Sequence, residues 1–256
     1  MDIREIFELQ DRAVPQNLQL FEDEFRWCRR ALELTLDSHE FFRRNPEVVA
    51  YRTLLRESDG KAFVQVNVVV NLAYDAMGSL ISALRLLEYG VLADTWLLMR
   101  GAFECTCYAD YFARNCDGVA EFADIGERMK TDFSVNIAAE LRKQGLGFDT
   151  VRQFLEKIYG QDMKQFYGRL CMYGAHASPW RPGFRIGKNE PEVRAYLSIG
   201  HRNLALCLGD YAATAKYTMG ILFETWPDLM RKNETLVIRH NAFEEVYKAV
   251  FTKAQA

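Results

Sequence analysis

Apolar residues recur at spacings of three and four along most of this chain, and this pattern constrains the fold more than any other feature. From Asn17 to Arg44 it places the apolar side chains on one face of a helix. The apolar positions of that stretch are Leu18, Phe21, Phe25, Cys28, Leu32 and Leu36. Asn45-Pro46 follows directly and predicts the end of the helix.

Similar stretches continue to the carboxyl terminus. We expect further helices at about 47–56, 61–89, 92–115, 118–143, 150–159, 162–173, 192–226 and 234–253. The start of 61–89 is ambiguous, because Val64, Val66, Val68 and Val70 alternate as they would in a strand. No breaker interrupts that stretch, and its length favours a helix.

Short connections between long helices are typical of an antiparallel bundle, so the predicted fold class is all-α. One long loop near 174–191 breaks that pattern, with three glycines and three prolines. We predict a single helical domain over 1–256, in which amino-terminal helices of 1–60 pack on a core bundle formed by 61–256.

Composition excludes several classes of protein. Hydrophobic residues make up 49% of the 256 positions and charged residues 26%, which is typical of a folded globular chain. The formal net charge of −3 excludes a general polyanion binder, so a nucleic-acid site would have to be a local patch. Charged residues interrupt the most apolar stretch, 62–99, which argues against a membrane span. Because the amino terminus resembles no targeting peptide, we expect a cytoplasmic protein.

The cysteines show none of the spacings of a metal or redox motif. They are Cys28, Cys105, Cys107, Cys116, Cys171 and Cys207. Most lie among apolar helical residues, where a reduced thiol behaves as a small hydrophobic group. The motifs of di-iron bundles, zinc proteases, phosphate-binding loops and nucleophile elbows are also absent from the sequence. We therefore predict core thiols, no metal ligands and no cofactor.

The segment RLCMYGAHASPW, from Arg169 to Trp180, carries the best candidate chemistry. Arg169 can bind a phosphate oxygen through two hydrogen bonds, and His176 can transfer a proton near neutral pH. This pair suits phosphodiester chemistry. The other three histidines have a plainer interpretation: His39 is predicted at the surface and His240 at the surface or in an interface, and His201 could line the same region as His176.

The same segment begins a basic part of the chain. Between 161 and 202 there are seven basic and three acidic residues, a difference of +4, and Trp180 and Phe184 lie among them. A basic stretch with interspersed aromatic residues favours a nucleotide or single-stranded RNA, and an ordinary solvated loop is the alternative. Candidate substrate-binding residues are Arg100, Glu104, Tyr173, Ser178, Trp180, Arg181, Arg185 and His201.

Arg100 and Glu104 are four residues apart and therefore share one face of the 92–115 helix. The preceding helix carries Asn67, Asn71 and Asp75 at repeated spacings of four, and we expect these polar groups to be buried with partners such as Arg100. They could form a hydrogen-bonded network that braces the bundle. Alternatively, they could line a polar pocket together with His176.

Two segments carry a resemblance to known families. WLLMRGAFECTCYADYF (residues 96–112) and, later, FYGRLCMYGAHASPW (residues 166–180) resemble a bacterial family of helical proteins without an assigned function. Members of that family carry an R-x-x-x-E helix and a later His-x-Ser segment. Arg169 and His176 also fit the loosest form of the R-x(4–6)-H motif of HEPN (higher eukaryotes and prokaryotes nucleotide-binding) proteins.

The HEPN resemblance implies an all-helical, usually dimeric, metal-independent ribonuclease of a defence or toxin system. His176 would then be the general acid/base at an RNA 2′-hydroxyl, and Arg169 would stabilise the phosphate. The sequence departs from the family at Leu170, where a polar residue is usual, and at Ala177-Ser178-Pro179, which breaks the helix. A non-catalytic nucleotide or small-molecule binder and a dimeric interaction protein remain open as alternatives.

Overall fold

Every regular element in the described part of this chain is a helix. The computed structural model describes residues 3–132, 134, 136–175 and 201–251. The helices are α1 (Ile3–Leu20), α2 (Glu22–Arg44), α3 (Pro46–Ser58), α4 (Gly60–Glu88), α5 (Leu92–Arg114), α6 (Val119–Thr131), α7 (Ile137–Lys143), α8 (Phe148–Tyr159), α9 (Gln161–Leu170), a π-helical turn (Cys171–Ala175), α10 (His201–Thr225), α11 (Pro227–Met230) and α12 (Glu234–Phe251). The predicted all-α helical bundle is confirmed.

The hairpin of α4 and α5 forms the centre of the bundle. The two helices run antiparallel, since Gln65 Nε2 near the start of α4 donates to the Phe112 carbonyl oxygen near the end of α5, at 2.6 Å. Gly90 makes the turn between them with a φ of 74°, a value that favours glycine. The helix α10 then packs against α5, α4 and α2, and α12 packs along α2.

One cluster of buried side chains links the amino-terminal helices to the rest of the bundle. Phe25 and Phe42 of α2, Trp96 and Phe112 of α5 and Tyr211 of α10 are all fully buried within it. Large apolar side chains buried in this way contribute about 1.5–3 kcal/mol each to folding. The bundle core is therefore shared by helices from both ends of the described chain.

The end of α2 follows from one residue, as the sequence predicts. The backbone N–H of Asn45 donates to the Phe41 carbonyl oxygen at 2.8 Å and closes α2. Its side-chain oxygen accepts from the backbone N–H groups of Glu47 at 2.9 Å and Val48 at 3.3 Å, which caps α3. The helix prediction for 61–89 is also confirmed, because Val66, Val69 and Val70 are buried at helical spacing.

Several sequence predictions are wrong in detail. The helix expected over 17–44 begins at Glu22, because the non-helical backbone of Phe21 separates α1 from α2. The single helix expected over 118–143 is two helices, α6 and α7, and the Asn136 side chain caps the second by accepting from the Ala139 N–H at 3.1 Å. The helix expected over 162–173 ends at Leu170 and continues as the π-helical turn. That turn already includes Gly174 and Ala175, and the rest of the predicted 174–191 loop lies outside the described residues.

Polar residues of α2 and α4 also differ from expectation. Asn71 and Asp75 are exposed rather than buried, and Asn67 is half-buried and accepts a hydrogen bond from Arg52. The error has a physical reason, because α4 has enough apolar positions to fill its core face without these residues. Conversely, His39 is buried instead of exposed, and its Nε2 atom lies 3.0 Å from the Val70 carbonyl oxygen.

The length and composition of α4 would also allow it to cross a membrane. Its most apolar window has a mean hydropathy of 1.2, and 56% of that window is buried within the bundle. A central helix of a helical bundle passes the same test, because it must be apolar on most of its sides. The packing of α4 against α5, α10, α3 and α2 is consistent with such a core helix.

Candidate functional site

Arg169 lies in the last turn of α9 and is paired with a buried carboxylate. Its Nε and Nη2 atoms donate to Asp210 Oδ1 at 3.4 and 3.2 Å. Its guanidinium also lies over the Phe166 ring, 5.3 Å from the centroid. The Asp210 side chain is 4% exposed and that of Arg169 is 42% exposed. Asp210 therefore fixes the guanidinium from the buried side, and the other side of Arg169 remains accessible.

A buried tryptophan completes the support behind Arg169. The Trp96 Nε1 atom donates to Asp210 Oδ2 at 3.0 Å, so Asp210 bridges α5, α9 and α10. Burial raises the pKa of Asp210, while the hydrogen bond from Trp96 and the charge of Arg169 lower it. The Trp96 ring also packs against the candidate residue Tyr173 of the π-helical turn, with centroids 4.7 Å apart. Tyr173 is thus brought to the same polar cluster as Arg169.

Arg169 lines a cleft between α5, α8, α9 and α10. The cleft has a volume of about 620 Å³. It is lined by Phe103, Tyr159, Asp162, Met163, Gln165, Phe166, Arg169, Ala213 and Tyr217. Four of these side chains are aromatic, and the polar groups come mainly from one helix, α9. The cleft can therefore accept a flat, partly polar ligand next to a guanidinium group.

The two tyrosines of the cleft contact a second polar cluster. The Tyr217 hydroxyl donates to Asp110 Oδ2 at 2.7 Å, and Asp110 Oδ1 accepts from Arg114 Nε at 2.6 Å. Arg114 Nη2 in turn donates to the Tyr159 hydroxyl at 2.8 Å and lies 3.5 Å from Glu224 Oε2. Burial, followed by the nearby Asp110 charge, raises the pKa of Glu224. These contacts hold both tyrosine rings in place at one end of the cleft.

The Arg100–Glu104 pair is present as predicted, although neither residue lines the cleft. Arg100 Nε donates to Glu104 Oε1 at 2.7 Å, and the Tyr167 hydroxyl donates to the same oxygen at 2.7 Å. Burial and the bond to Glu104 raise the pKa of Tyr167. Tyr167 stacks on Phe103, which does line the cleft, with centroids 6.0 Å apart. The pair therefore supports α9 from behind the cleft wall.

Several candidate residues cannot be assigned a position. His176, Ser178, Trp180, Arg181 and Arg185 lie outside the described residues, and so does the side chain of His201. Whether Arg169 or Arg100 faces His176 therefore stays a prediction. The described part of the basic region contains Lys164, Arg169 and the acidic Asp162. Most of the expected excess of positive charge therefore lies on residues outside the described part of the chain.

Four of the six cysteines have thiols whose pKa is raised, and burial is the main cause. Cys28, Cys107 and Cys207 are buried, and burial raises the pKa of each of these thiols, which keeps them protonated. Burial raises the pKa of the half-buried Cys105 to about 11. Among the residues that the structure describes, no three His, Cys, Asp or Glu side chains are grouped so that they could hold a metal ion.

Sequence reasoning missed Asp110, Asp210 and Tyr217. Asp110 has a usable signal, because it precedes Arg114 by four residues, the same separation that identified Arg100 and Glu104. Asp210 is a single acidic residue within the apolar run of α10, which indicates a buried partner but does not identify it. No family model, curated protein or solved structure matches this chain.

Proposed function

We propose that this protein binds a nucleotide phosphate or single-stranded RNA in the cleft lined by Arg169. The observation that carries the proposal is that a buried carboxylate holds Arg169 at the edge of an aromatic cleft. Among the described residues, none accepts a hydrogen bond from the Nη1 atom of Arg169. A guanidinium fixed in this way can donate to a phosphate oxygen at little cost in side-chain entropy.

The remaining lining suits a base. Phe166, Tyr159 and Tyr217 offer ring faces, and stacking of a base on such a ring contributes about 1–3 kcal/mol to binding. Asp162 and Gln165 can accept or donate hydrogen bonds at a base edge. The cleft volume, about 620 Å³, lies within the usual range for small-molecule sites of roughly 300–1,000 Å³.

We further propose that the reaction is metal-independent RNA cleavage of the HEPN type. His176 would accept the proton of an RNA 2′-hydroxyl, whose oxygen attacks the adjacent phosphorus and forms a 2′,3′-cyclic phosphate. The P–O5′ bond breaks, and the 5′-oxygen of the next nucleotide leaves as a hydroxyl after it takes a proton from the protonated His176 or from water. Arg169 would stabilise the charge that develops on the phosphate oxygens. This step depends on His176, which follows Arg169 after six residues.

A non-catalytic binding protein is the second candidate, and the charge of the cleft favours it. Asp210 neutralises Arg169 from one side, and Asp162 in the first turn of α9 adds a second carboxylate to the cleft lining. The described lining therefore has little net positive charge. A small ligand with a flat ring and few charges would fit such a cleft without any cleavage.

Binding of a fluorescent single-stranded RNA tests the first proposal. Arg169→Met should weaken binding about tenfold, because a charged hydrogen bond to phosphate contributes roughly 1.5 kcal/mol. Arg56→Met is the matched control, since Arg56 is exposed on α3, outside both the cleft lining and the basic region. Because Arg169→Met leaves Asp210 buried without its cation, Arg169→Met combined with Asp210→Asn shows whether lost binding reflects lost folding.

Cleavage of the same RNA in the presence of EDTA separates the two candidates. If the protein is a ribonuclease, the wild type should cleave the RNA, and His176→Ala should still bind the RNA without cleaving it. RNA binding without cleavage supports the non-catalytic candidate. If the wild-type protein binds neither RNA nor nucleoside monophosphates, the nucleotide-binding and ribonuclease proposals for this cleft are wrong.

A further inference from the structure

The exposed side of α12 carries a second apolar stripe that the bundle does not use. The inward face of this helix places Phe243 and Tyr247 against Trp27 of α2, with ring centroids 4.1 and 5.2 Å apart. The outward stripe consists of Ile238, Ala242, Val246 and Ala249, all of them exposed. Ile238 is 67% exposed and Val246 is 44% exposed. Burial of such a stripe is favourable, so it indicates a contact surface.

This stripe borders a groove between α2 and α12. The groove has a volume of about 440 Å³, with Trp27, Phe243 and Val250 among the apolar residues that line it. Its α2 side is charged and includes Arg26, Arg30 and Glu33. A surface with an apolar half and a charged half requires a partner that has both.

The order of charges along α2 identifies that partner. Arg26, Arg30, Glu33 and Asp37 follow one another along one exposed face of the helix. Arg26 already pairs with Glu22 and with Asp23 of the same groove, and Asp37 pairs with Arg239, so Arg30 and Glu33 are the central charges of this face. A second α2 placed antiparallel to the first therefore sets Arg30 opposite Glu33 and Arg26 opposite Asp37. In the described ranges of the chain, neither Arg30 nor Glu33 has an ion pair or a side-chain hydrogen bond. Both are thus available for a reciprocal pair.

Along the helix axes, the apolar stripe on α12 has its midpoint at the same height as the midpoint of the charged residues on α2. The helix α12 runs antiparallel to α2, because Arg239 pairs with Asp37 and Phe251 packs on Trp27. The midpoint between Arg30 and Glu33 therefore lies level with the stretch between Ala242 and Val246. A two-fold axis through this level, perpendicular to both helices, places α2 against α2 and α12 against α12. It brings Ala242 opposite Val246 and Ile238 opposite Ala249.

We propose that a second copy of this chain docks on the α2–α12 face through this two-fold axis. The face is about 27 Å long, from 18 residues of α12, and about 20 Å wide, from two neighbouring helices. This corresponds to roughly 500 Å² per subunit, which is the lower limit for a specific interface. The dimer is therefore expected to dissociate in the micromolar range. The proposal does not depend on the ligand of the Arg169 cleft.

Sedimentation equilibrium of the full chain tests the dimer. Arg30→Glu and Glu33→Arg should each weaken dimerisation about tenfold or more, because each places like charges opposite one another twice. The double variant Arg30→Glu with Glu33→Arg restores the opposite charges and should return close to the wild-type dissociation constant. Arg56→Glu on α3, an exposed charge outside the groove, is the matched control and should have no effect.

An apolar pair of variants tests the other half of the surface. Ile238→Asp should yield a monomer, whereas Ile81→Asp on α4 should not, although Ile81 is also 48% exposed. Circular dichroism confirms that both variants remain helical. A wild-type chain that stays monomeric at about 100 μM overturns the proposal, because a dimer with a dissociation constant in the low micromolar range would be mostly assembled at that concentration. The proposal is also overturned if the double variant Arg30→Glu with Glu33→Arg does not recover the dimer. The same holds if Ile81→Asp weakens dimerisation as much as Ile238→Asp does.

Discussion

The two arginine–carboxylate pairs beside α9 differ in how the chain forms them. Arg100 and Glu104 lie within one helix, four residues apart, and their side chains are 27% and 29% exposed. Arg169 and Asp210 are 41 residues apart, and the Asp210 side chain is 4% exposed. The first pair forms as soon as α5 forms, whereas the second exists only when α9, α10 and Trp96 of α5 are packed together. The second pair therefore reports on the tertiary fold.

The largest expected effect comes from removing the carboxylate of the long-range pair. Asp210→Ala should lower the free energy of unfolding by about 2–4 kcal/mol, because it leaves the buried indole N–H of Trp96 without an acceptor and removes the partner of Arg169. Asp210→Asn keeps an acceptor oxygen for Trp96 and should cost roughly half as much. Urea denaturation measures both values. If Asp210→Ala lowers the free energy of unfolding by less than Glu104→Ala does, the long-range pair contributes less to stability than the local pair.

The local pair should contribute less. Glu104→Ala should lower stability by about 1 kcal/mol, since it removes an i,i+4 ion pair and the acceptor of the Tyr167 hydroxyl. Glu127→Ala on α6 removes a fully solvated pair with Lys130 and serves as the matched control, with a change within about 0.5 kcal/mol. If the two variants have the same stability, the contact of Glu104 with Tyr167 contributes nothing.

The smallest effect concerns a third long-range polar contact, that of His39 with α4. Burial lowers the pKa of His39, so the unfolded chain binds a proton at a higher pH than the folded chain does. Stability from this group is therefore complete above about pH 6.5 and is lost as the pH falls toward the lowered pKa. His39→Gln can still hydrogen-bond and cannot titrate.

The measurement is the thermal unfolding midpoint between pH 7.5 and pH 5. The wild type should lose more stability than His39→Gln over this range. Part of the loss should remain in the variant, because burial also lowers the pKa of His240, which stacks on Phe223. Identical pH profiles for the two proteins would show that His39 is not buried in solution.

The difference between contacts within one helix and contacts between distant segments also explains which features the sequence could predict. Helices were predictable because their signals are local: the apolar spacing of α2, the Asn45-Pro46 boundary and the turn at Gly90 each involve a few neighbouring residues. The sequence did not predict the break between α6 and α7. Asn136 caps α7 with its side chain, but in the sequence it does not differ from an ordinary polar residue within a charged helix. Spacing also identified Arg100 and Glu104.

The candidate site was harder to predict, because its contacts join distant parts of the chain. The sequence indicated Arg169 as a candidate, and the structure places it at a cleft, yet nothing in the sequence connects it with Asp210 or Trp96. The predicted exposure of His39 and the predicted burial of Asp75 were wrong for the same reason. Which face of α4 is covered depends on where α2, α5 and α10 pack, and helical spacing alone does not determine that.

In the proposed dimer, the charge order of α2 also limits how many copies can assemble. A face whose charges change sign about its own midpoint is complementary to itself only in the reversed direction, and one partner then covers all of it. A third chain finds no remaining part of that face to bind. Association through α2 and α12 would therefore stop at two subunits and could not continue into a filament, even though the apolar stripe on α12 is exposed in the isolated chain.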